Sequence, residues 1–154
     1  MGSVPLVALA DALGDVAHLG LDTPVFVYFA ERNPTYLPLA REVFRLIDAG
    51  LIAGHTSVVT LVEVLTHPKR TRDVVQEGHF RSILLNNDYL TVRDTTPLIA
   101  ERAADLRARY NLRTPDAIQI ATALVAGCEA FLTNDLDLRR VADLRVLVLG
   151  TLTL

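Results

Sequence analysis

Short apolar runs alternate with longer stretches of helical periodicity along the chain, and this alternation restricts the fold more than any other feature. The runs at 130–133 and 146–149 have the length and continuous apolar character of strands covered on both faces. The stretches at 36–48 and 97–110 carry apolar residues three and four positions apart, as amphipathic helices do. Because strands that alternate with helices form parallel sheets covered by helices, we predict an α/β domain with three layers, α/β/α. Its central parallel sheet should have about four to five strands.

The turn and capping residues give the predicted bounds of the elements. Strands are expected at 19–22, 51–55, 89–92, 130–133 and 146–149. Helices are expected at 5–17, from Pro24 to Phe29, at 36–48, from Ser57 through Thr66, at 71–85, at 97–110 and at 115–126. Thr95, Ser57 and Thr114 are the predicted N-caps, Pro115 suits a first helical position, and Gly127 ends the last helix. Pro68 is expected after the end of its helix.

Composition and length exclude several classes of protein. The 154 residues suffice for one domain with a core, and a hydrophobic fraction of 51% argues against disorder. No apolar run approaches the roughly 18–20 residues of a membrane helix, and the N-terminus lacks the pattern of a secretory signal. Cys128 is the only cysteine, which excludes an internal disulfide and a cysteine-based zinc site and fits a reducing cytoplasm. The net charge of −3 argues against a protein that coats nucleic acid, unless bound cations reverse the local field.

Four acidic residues stand at the edges of predicted elements or in apolar surroundings. Asp22 follows the first strand, Asp116 lies in the first turn of a helix, and Asp135 follows the 130–133 strand. Glu63 lies within a helix whose sequence neighbours are almost all apolar. Each also has a structural interpretation, as a cap, a partner of the helix dipole, a loop residue or a member of an exposed stripe. Because four acids with such placements occur along one chain, we expect them to meet at the carboxyl edge of the sheet, where α/β folds bind ligands.

Several carboxylates that converge would repel each other and raise their pKa values, and a divalent cation removes that repulsion. Mg²⁺ and Mn²⁺ prefer oxygen ligands, which suits a cluster of Asp and Glu with little His. Such a site can activate a water and stabilise the oxyanions of a phosphodiester under attack. None of the four scattered histidines is needed as a base.

Four sequence blocks carry a family resemblance, at residues 21–28, 56–63, 114–121 and 131–135. In this order they resemble the signature blocks of PIN-domain ribonucleases, and among these they are most similar to the VapC toxins of bacterial toxin–antitoxin pairs. The resemblance implies a PIN fold, a Mg²⁺ or Mn²⁺ site, and endonucleolytic cleavage of RNA to a 5′ phosphate and a 3′ hydroxyl. The residues that it assigns to the site are Asp22, Glu63, Asp116 and Asp135 as metal-site acids, Thr133 as the residue that orients Asp135, Ser57 as the cap of the Glu63 helix, and Asp137 as an extra acid.

The resemblance also implies partners: an RNA substrate, an antitoxin whose C-terminal segment lies across the site, and a second copy of the chain in a homodimer. Residues 1–17 precede the first strand as an N-terminal helical extension of a single domain at 1–154, which departs from the family pattern. Arg113 is either a phosphate contact or a solvated loop residue. The alternative function is a PIN-like module that binds RNA or protein without cutting. Burial of the acids would argue against that alternative.

Overall fold

The structure is a computed structural model and describes residues 5–154. It contains seven α-helices, seven strands and two short 3₁₀ turns in those residues. In chain order they are β1 Val7–Ala8, α1 Leu9–Leu13, β2 His18–Leu21, α2 Thr23–Ala30, α3 Leu37–Asp48, β3 Ala53–Ser57, α4 Val58–Thr71, α5 Val74–Leu85, β4 Leu90–Arg93, α6 Pro97–Tyr110, α7 Thr114–Val125, β5 Ala130–Thr133, a turn at Leu136–Arg140, β6 Arg145–Val148, a turn at Leu149–Thr151, and β7 Leu152–Thr153.

The central sheet has five strands in the order β4-β3-β2-β5-β6, and every neighbouring pair is parallel. This confirms the predicted parallel α/β sheet of four to five strands. Because the strands run the same way, the carboxyl ends of β2, β3 and β5 lie side by side at one edge. Asp22, Ser57 and the Thr133–Asp135 segment all stand at that edge.

Apolar residues pack on both faces of the sheet. Along β5, Ala130 and Leu132 belong to one buried cluster, whereas Phe131 belongs to the other, as the alternation of side chains along a strand requires. Buried residues of α2, α3 and α5 join the first cluster, and buried residues of α6 and α7 join the second. The predicted three-layer arrangement is therefore present.

Two predicted helix bounds in the middle of the chain are wrong. The helix expected to end at Thr66 continues as α4 to Thr71, with Pro68 inside it. Pro68 is buried in line with Val64 and Thr60, one and two turns earlier, so packing of this face outweighs the hydrogen bond that proline removes. The next helix therefore begins late, at Val74, after Asp73 accepts a hydrogen bond from the Gln76 N–H.

Two predicted caps are also wrong by one residue. Thr96, rather than Thr95, caps α6 by accepting from the Ile99 N–H. Thr114 is the first residue of α7 rather than its cap, and Arg113 precedes it without a side-chain cap. Thr95 and Thr96 satisfy the sequence rule equally, so the backbone geometry decides between them.

The N-terminal segment is less helical than predicted. Of the helix expected at 5–17, only Leu9–Leu13 is helical, and Val7–Ala8 pairs instead with Leu152–Thr153 in a small parallel sheet. Residues 1–4 of the proposed extension lie outside the described residues. Strand β3 also begins two residues later than predicted, because Gly50 turns at φ +73° and Leu51 is exposed. That shift brings Ser57 to the end of the strand. No helix within 5–154 combines the length and apolar character needed to cross a membrane.

Gly20 is a position where the sheet tolerates no side chain. A Cβ there would lie 2.7 Å from the Cβ of Ala123 and 2.9 Å from Cδ1 of Phe131. We expect Gly20→Ala to lower the free energy of unfolding by about 1–3 kcal/mol through overpacking, as measured by urea denaturation. Gly78→Ala is the control, because that exposed helical position has nothing within 4 Å. It should raise stability by about 0.5–1 kcal/mol, and equal effects at the two sites would contradict this account.

Candidate active site

The four predicted acids line one cavity at the carboxyl edge of the sheet. The cavity has a volume of about 320 Å³ and is lined by Asp22, Glu63, Asp116, Asp135, Arg113, Thr23, Pro24, Val27 and Tyr28. One part of the lining is therefore acidic, and another part is apolar. A larger cleft of about 570 Å³ lies between α1 and α3, but among described residues its only acid is Glu42, which is paired with Arg45. Its lining does not offer comparable chemistry.

Asp22 is the buried member of the acidic set, with 8% of its surface exposed. It caps α2: Oδ1 accepts from the Thr23 N–H at 2.9 Å, and Oδ2 accepts from the Thr133 hydroxyl at 2.8 Å. Burial raises the pKa of the Asp22 carboxyl to about 6, although the two donors lower it. The negative charges of Asp116 and Glu63 add to the rise. Asp22 is therefore an acid whose ionised form the cavity disfavours in the absence of a countercharge.

Thr133 contacts two of the predicted site residues. Its hydroxyl donates to the Asp22 carboxylate and accepts from the Asp135 backbone N–H at 3.2 Å. The side chain that the resemblance assigned to orienting Asp135 therefore holds the Asp22 carboxylate as well. Asp135 itself is exposed and accepts from the Asp137 N–H at 3.0 Å. The structure does not bring Asp137 into the cavity lining, because its side chain points to an ion pair with Arg140 at 3.1 Å.

Asp116 lies in the first turn of α7, as predicted, and is half-buried. Its Oδ2 pairs with Nε of Arg113 at 3.1 Å, and the Arg113 side chain is 80% exposed. Arg113 therefore lines the cavity and also reaches solvent. Both of its sequence interpretations remain compatible with this position, because an exposed guanidinium beside a carboxylate can still turn toward a phosphate.

Glu63 is exposed, so its interpretation as a buried acid of an apolar helix is wrong. The buried stripe of α4 runs through Thr60 and Val64, and the neighbouring Val62 is itself 67% exposed. Sequence neighbours on a helix point in different directions, so apolar neighbours did not imply an apolar environment. The side chain is nevertheless directed to the cavity, because Oε1 accepts from the Thr23 hydroxyl at 2.8 Å.

A buried polar network beneath Glu63 was missed by the sequence analysis. Gln119 of α7 is 3% exposed and accepts from the Ser57 hydroxyl at 2.9 Å. Its Nε2 donates to Thr60 at 2.7 Å and to Thr23 at 3.2 Å. Ser57 also caps α4 through the Val59 N–H, as predicted. The available signal was an amide within an otherwise apolar helical run, which requires buried partners.

The acidic lining matches Mg²⁺ or Mn²⁺ in the chemistry of its donors, since all are carboxylate oxygens. Within 5–154, however, no three His, Cys, Asp or Glu side chains are grouped closely enough to hold one ion as they are oriented. Asp22 is fixed by two donors, whereas Glu63 and Asp135 are exposed and Asp116 is half-buried. The residues therefore fit a hard cation, provided that the more accessible acids turn toward Asp22.

Comparison with known families and structures gives a consistent fold. The sequence pattern of the PIN domain matches residues 20–144 of the chain. That span runs from the second half of β2 to the residue before β6 and includes all four acids of the cavity. No curated protein matches the chain in a sequence search.

Three solved structures share the fold at low sequence identity. VapBC2 from Rickettsia felis, bound to a DNA fragment from its promoter, aligns with a TM-score of 0.68 at 16% identity, over 85% of this chain and 98% of that one. A toxin–antitoxin complex from Klebsiella pneumoniae aligns at 0.64 and 24% identity, over 86% and 97%. DNA-bound VapBC from Salmonella typhimurium aligns at 0.61 and 22% identity, over 87% and 98%.

Proposed function

The chain belongs to the PIN domain family, and we propose that it is a divalent-metal-dependent endoribonuclease, the toxin of a toxin–antitoxin pair. The observation that carries the catalytic proposal is the common cavity lined by Asp22, Glu63, Asp116 and Asp135. Four acids from four separate stretches of the chain converge there. Such a cluster costs free energy unless a cation or a proton neutralises it. We therefore propose these four acids as the metal-site residues.

The proposed cation is Mg²⁺ or Mn²⁺, held by carboxylates of the four acids. When bound, it supplies positive charge to the scissile phosphate and lowers the pKa of a water. Asp22 is the fixed point of the site, because Thr133 and the Thr23 N–H hold its two oxygens in one orientation. Thr133 supports Asp22 and, through its contact with the Asp135 N–H, the start of the following loop. Ser57 supports the site from the start of α4, and Asp137 has no assigned role in it.

Arg113 is proposed to attract the RNA phosphate. Its guanidinium is exposed and lines the cavity beside Asp116. If Asp116 turns toward a cation, Arg113 loses its carboxylate partner and is free to bind a phosphate oxygen. Arginine suits this exchange because it donates to carboxylate and phosphate with the same geometry. The products would be a 5′ phosphate and a 3′ hydroxyl.

The partners are proposed from the fold relatives, two of which are named as VapBC and one as a toxin–antitoxin complex. We propose that this chain likewise pairs with an antitoxin. The antitoxin's C-terminal segment would lie across the acidic cavity and present an arginine to it. A homodimer and an RNA substrate belong to the same proposal. An RNA substrate and a single cysteine fit the reducing cytoplasm as the place of action.

A non-catalytic RNA- or protein-binding module is the second candidate. Two observations favour it: Glu63 and Asp135 are exposed, and Asp116 is already neutralised by its ion pair with Arg113. Burial of the whole acid set was an argument against this module, and it applies only to Asp22. The nuclease is preferred because a binding surface for RNA gains nothing from four converging carboxylates.

Metal removal tests the proposed function. We expect the purified protein to cleave a labelled single-stranded RNA in Mg²⁺ or Mn²⁺ and to lose this activity in EDTA, with recovery when Mn²⁺ is restored. Without the cation, the four carboxylates repel the phosphate that they should hold. The measurement is a time course on a denaturing gel. Products with a 5′ phosphate are identified because an RNA ligase joins them without prior phosphorylation.

An Asp116→Asn protein, purified in the same way, controls for contaminating ribonuclease. Cleavage that persists in EDTA, or that is equal in the Asp116→Asn preparation, would contradict the proposal. RNA binding without cleavage in either metal would favour the non-catalytic module.

A further inference from the structure

We propose that Gln119 is a positioning residue that fixes the Glu63 carboxylate through the hydroxyl of Thr23. This inference rests on the proposed metal site and identifies what holds its exposed acid. Gln119 is buried in the middle of α7, three residues after Asp116, does not line the cavity, and makes its side-chain hydrogen bonds to Ser57, Thr60 and Thr23 rather than to Glu63. Its effect on the site therefore has to pass through other side chains.

The direction of each hydrogen bond follows from the donors available. The Ser57 hydroxyl donates to Oε1 of Gln119, which fixes which end of the amide faces Ser57. The amide Nε2 has two protons and no acceptor capacity. It donates one to Thr60 at 2.7 Å and the other to Thr23 at 3.2 Å. Both threonine oxygens are therefore acceptors toward Gln119.

The protons of the threonines then have one consistent arrangement. Thr56 donates to the Leu21 carbonyl at 2.9 Å, so its oxygen can accept from Thr60 at 2.8 Å. With the Thr60 proton committed to Thr56, the Thr23 hydroxyl is left to donate to Oε1 of Glu63 at 2.8 Å. A charged acceptor favours this choice over the 3.1 Å contact between Thr23 and Thr60. Among the described residues, no buried side-chain polar atom lacks a partner.

This arrangement explains how an exposed glutamate is directed to the site. A free Glu side chain loses considerable rotamer entropy when it is held in one conformation. The Thr23 hydroxyl supplies a fixed donor, and Gln119 supplies the bond that orients that hydroxyl. One amide thus joins three helices: α2, which Asp22 caps, α4, which carries Glu63, and α7, which carries Asp116. Residues that orient metal ligands in this way typically change metal affinity 10–100-fold when they are removed.

The test compares Mn²⁺ binding by Gln119→Leu and by wild type, measured by isothermal titration calorimetry without RNA. Leucine keeps the size of the side chain and removes its donors. We expect affinity about 10–100-fold weaker than that of wild type. Thr122→Val is the matched control, because Thr122 is equally buried on α7 and bonds only to the Ile118 carbonyl of its own helix. That variant should bind Mn²⁺ as wild type does.

Single Thr23 variants test whether the effect of Gln119 reaches Glu63 through the Thr23 hydroxyl, and they do not depend on the folding of Gln119→Leu. Thr23→Val should weaken Mn²⁺ binding to a similar extent, and Thr23→Ser, which keeps the hydroxyl, should retain it. The double variant Gln119→Leu/Thr23→Val should be no weaker than Thr23→Val alone, because both changes break one chain of contacts. Normal affinity in Thr23→Val, or additive losses in the double variant, would overturn the inference.

The result can be separated from that of the proposed function. A wild-type protein that binds Mn²⁺ without cleaving RNA would refute the nuclease, while the binding series would still decide the role of Gln119. A metal-free crystal structure of Gln119→Leu gives an independent readout. Glu63 is expected to leave Thr23 in that structure, and an unmoved Glu63 carboxylate would overturn the inference.

Discussion

Asp22→Asn is expected to lower the rate of RNA cleavage by a factor on the order of 10³ or more. The variant keeps an oxygen that can accept from the Thr23 N–H, so the start of α2 should be preserved. It removes the negative charge from the most buried acid of the cavity, the one that two donors hold in place. A neutral amide is a poor ligand for a hard cation compared with a carboxylate. The measurement is the single-turnover rate in saturating Mg²⁺.

Asp137→Asn is the matched control for this substitution. Asp137 belongs to the same sequence segment as Asp135, but its side chain pairs with Arg140 outside the cavity. We expect this variant to cleave RNA within about twofold of the wild-type rate, since surface ion pairs contribute little. Equal losses of cleavage rate in the two variants would mean that cleavage depends on the negative charge of this edge of the sheet as a whole and not on the acids of the cavity. Full activity in Asp22→Asn would refute the proposed role of Asp22.

In the metal-free protein, the same substitution Asp22→Asn is expected to increase stability as pH rises, although it lowers the rate of RNA cleavage. The pKa of Asp22 is about 6 in the folded protein, against 3.8 for an unperturbed aspartate. Between these values the folded state binds more protons than the unfolded state, so the free energy of unfolding falls as pH rises. The loss begins near the unfolded pKa, is complete about one pH unit above the folded pKa, and amounts to about 3 kcal/mol in total. Asn at position 22 does not titrate and escapes this loss.

Urea denaturation in EDTA at pH 4.5 and pH 7.5 measures this effect. Relative to wild type, Asp22→Asn should gain about 2 kcal/mol between the lower and the higher pH, because about 1 kcal/mol of the loss has already occurred at pH 4.5. Other titrating groups contribute equally to both proteins and cancel in the comparison. A stability difference that is the same at both pH values would show that burial does not raise the pKa of Asp22. Together with the loss of cleavage, a gain in stability would mark Asp22 as an acid retained for function at the expense of stability.

The order of strands and helices was predictable because it depends on the period of the apolar residues. Strand β5, Ala130–Thr133, was predicted at its observed bounds because three of its four residues are apolar. All four are buried in the structure. The continuation of α4 through Pro68 was not predictable, because it depends on tertiary packing of the Thr60, Val64 and Pro68 face. The same limit applies to Val7–Ala8, whose pairing partner lies at the other end of the chain.

The four acids that line the cavity were predictable, but the position of Asp137 outside it and the hydrogen-bond network beneath Glu63 were not. Asp22, Asp116 and Asp135 could be located because a parallel sheet brings strand ends and helix starts to one edge. The exposure of Glu63 could not be read from its apolar sequence neighbours. Gln119 bonds to Ser57, 62 positions earlier in the chain, and to Thr23, 96 positions earlier. The spacing of residues in the sequence contains no information on such distant pairs.

The most direct test of the shared cation site is a crystal structure of the protein soaked in Mn²⁺, with data collected to reveal anomalous scattering. We expect an anomalous peak in the 320 Å³ cavity, with carboxylate oxygens of Asp22 and at least one of Glu63, Asp116 and Asp135 as its ligands. A cavity without a peak at saturating Mn²⁺, or a peak that does not touch Asp22, would contradict it.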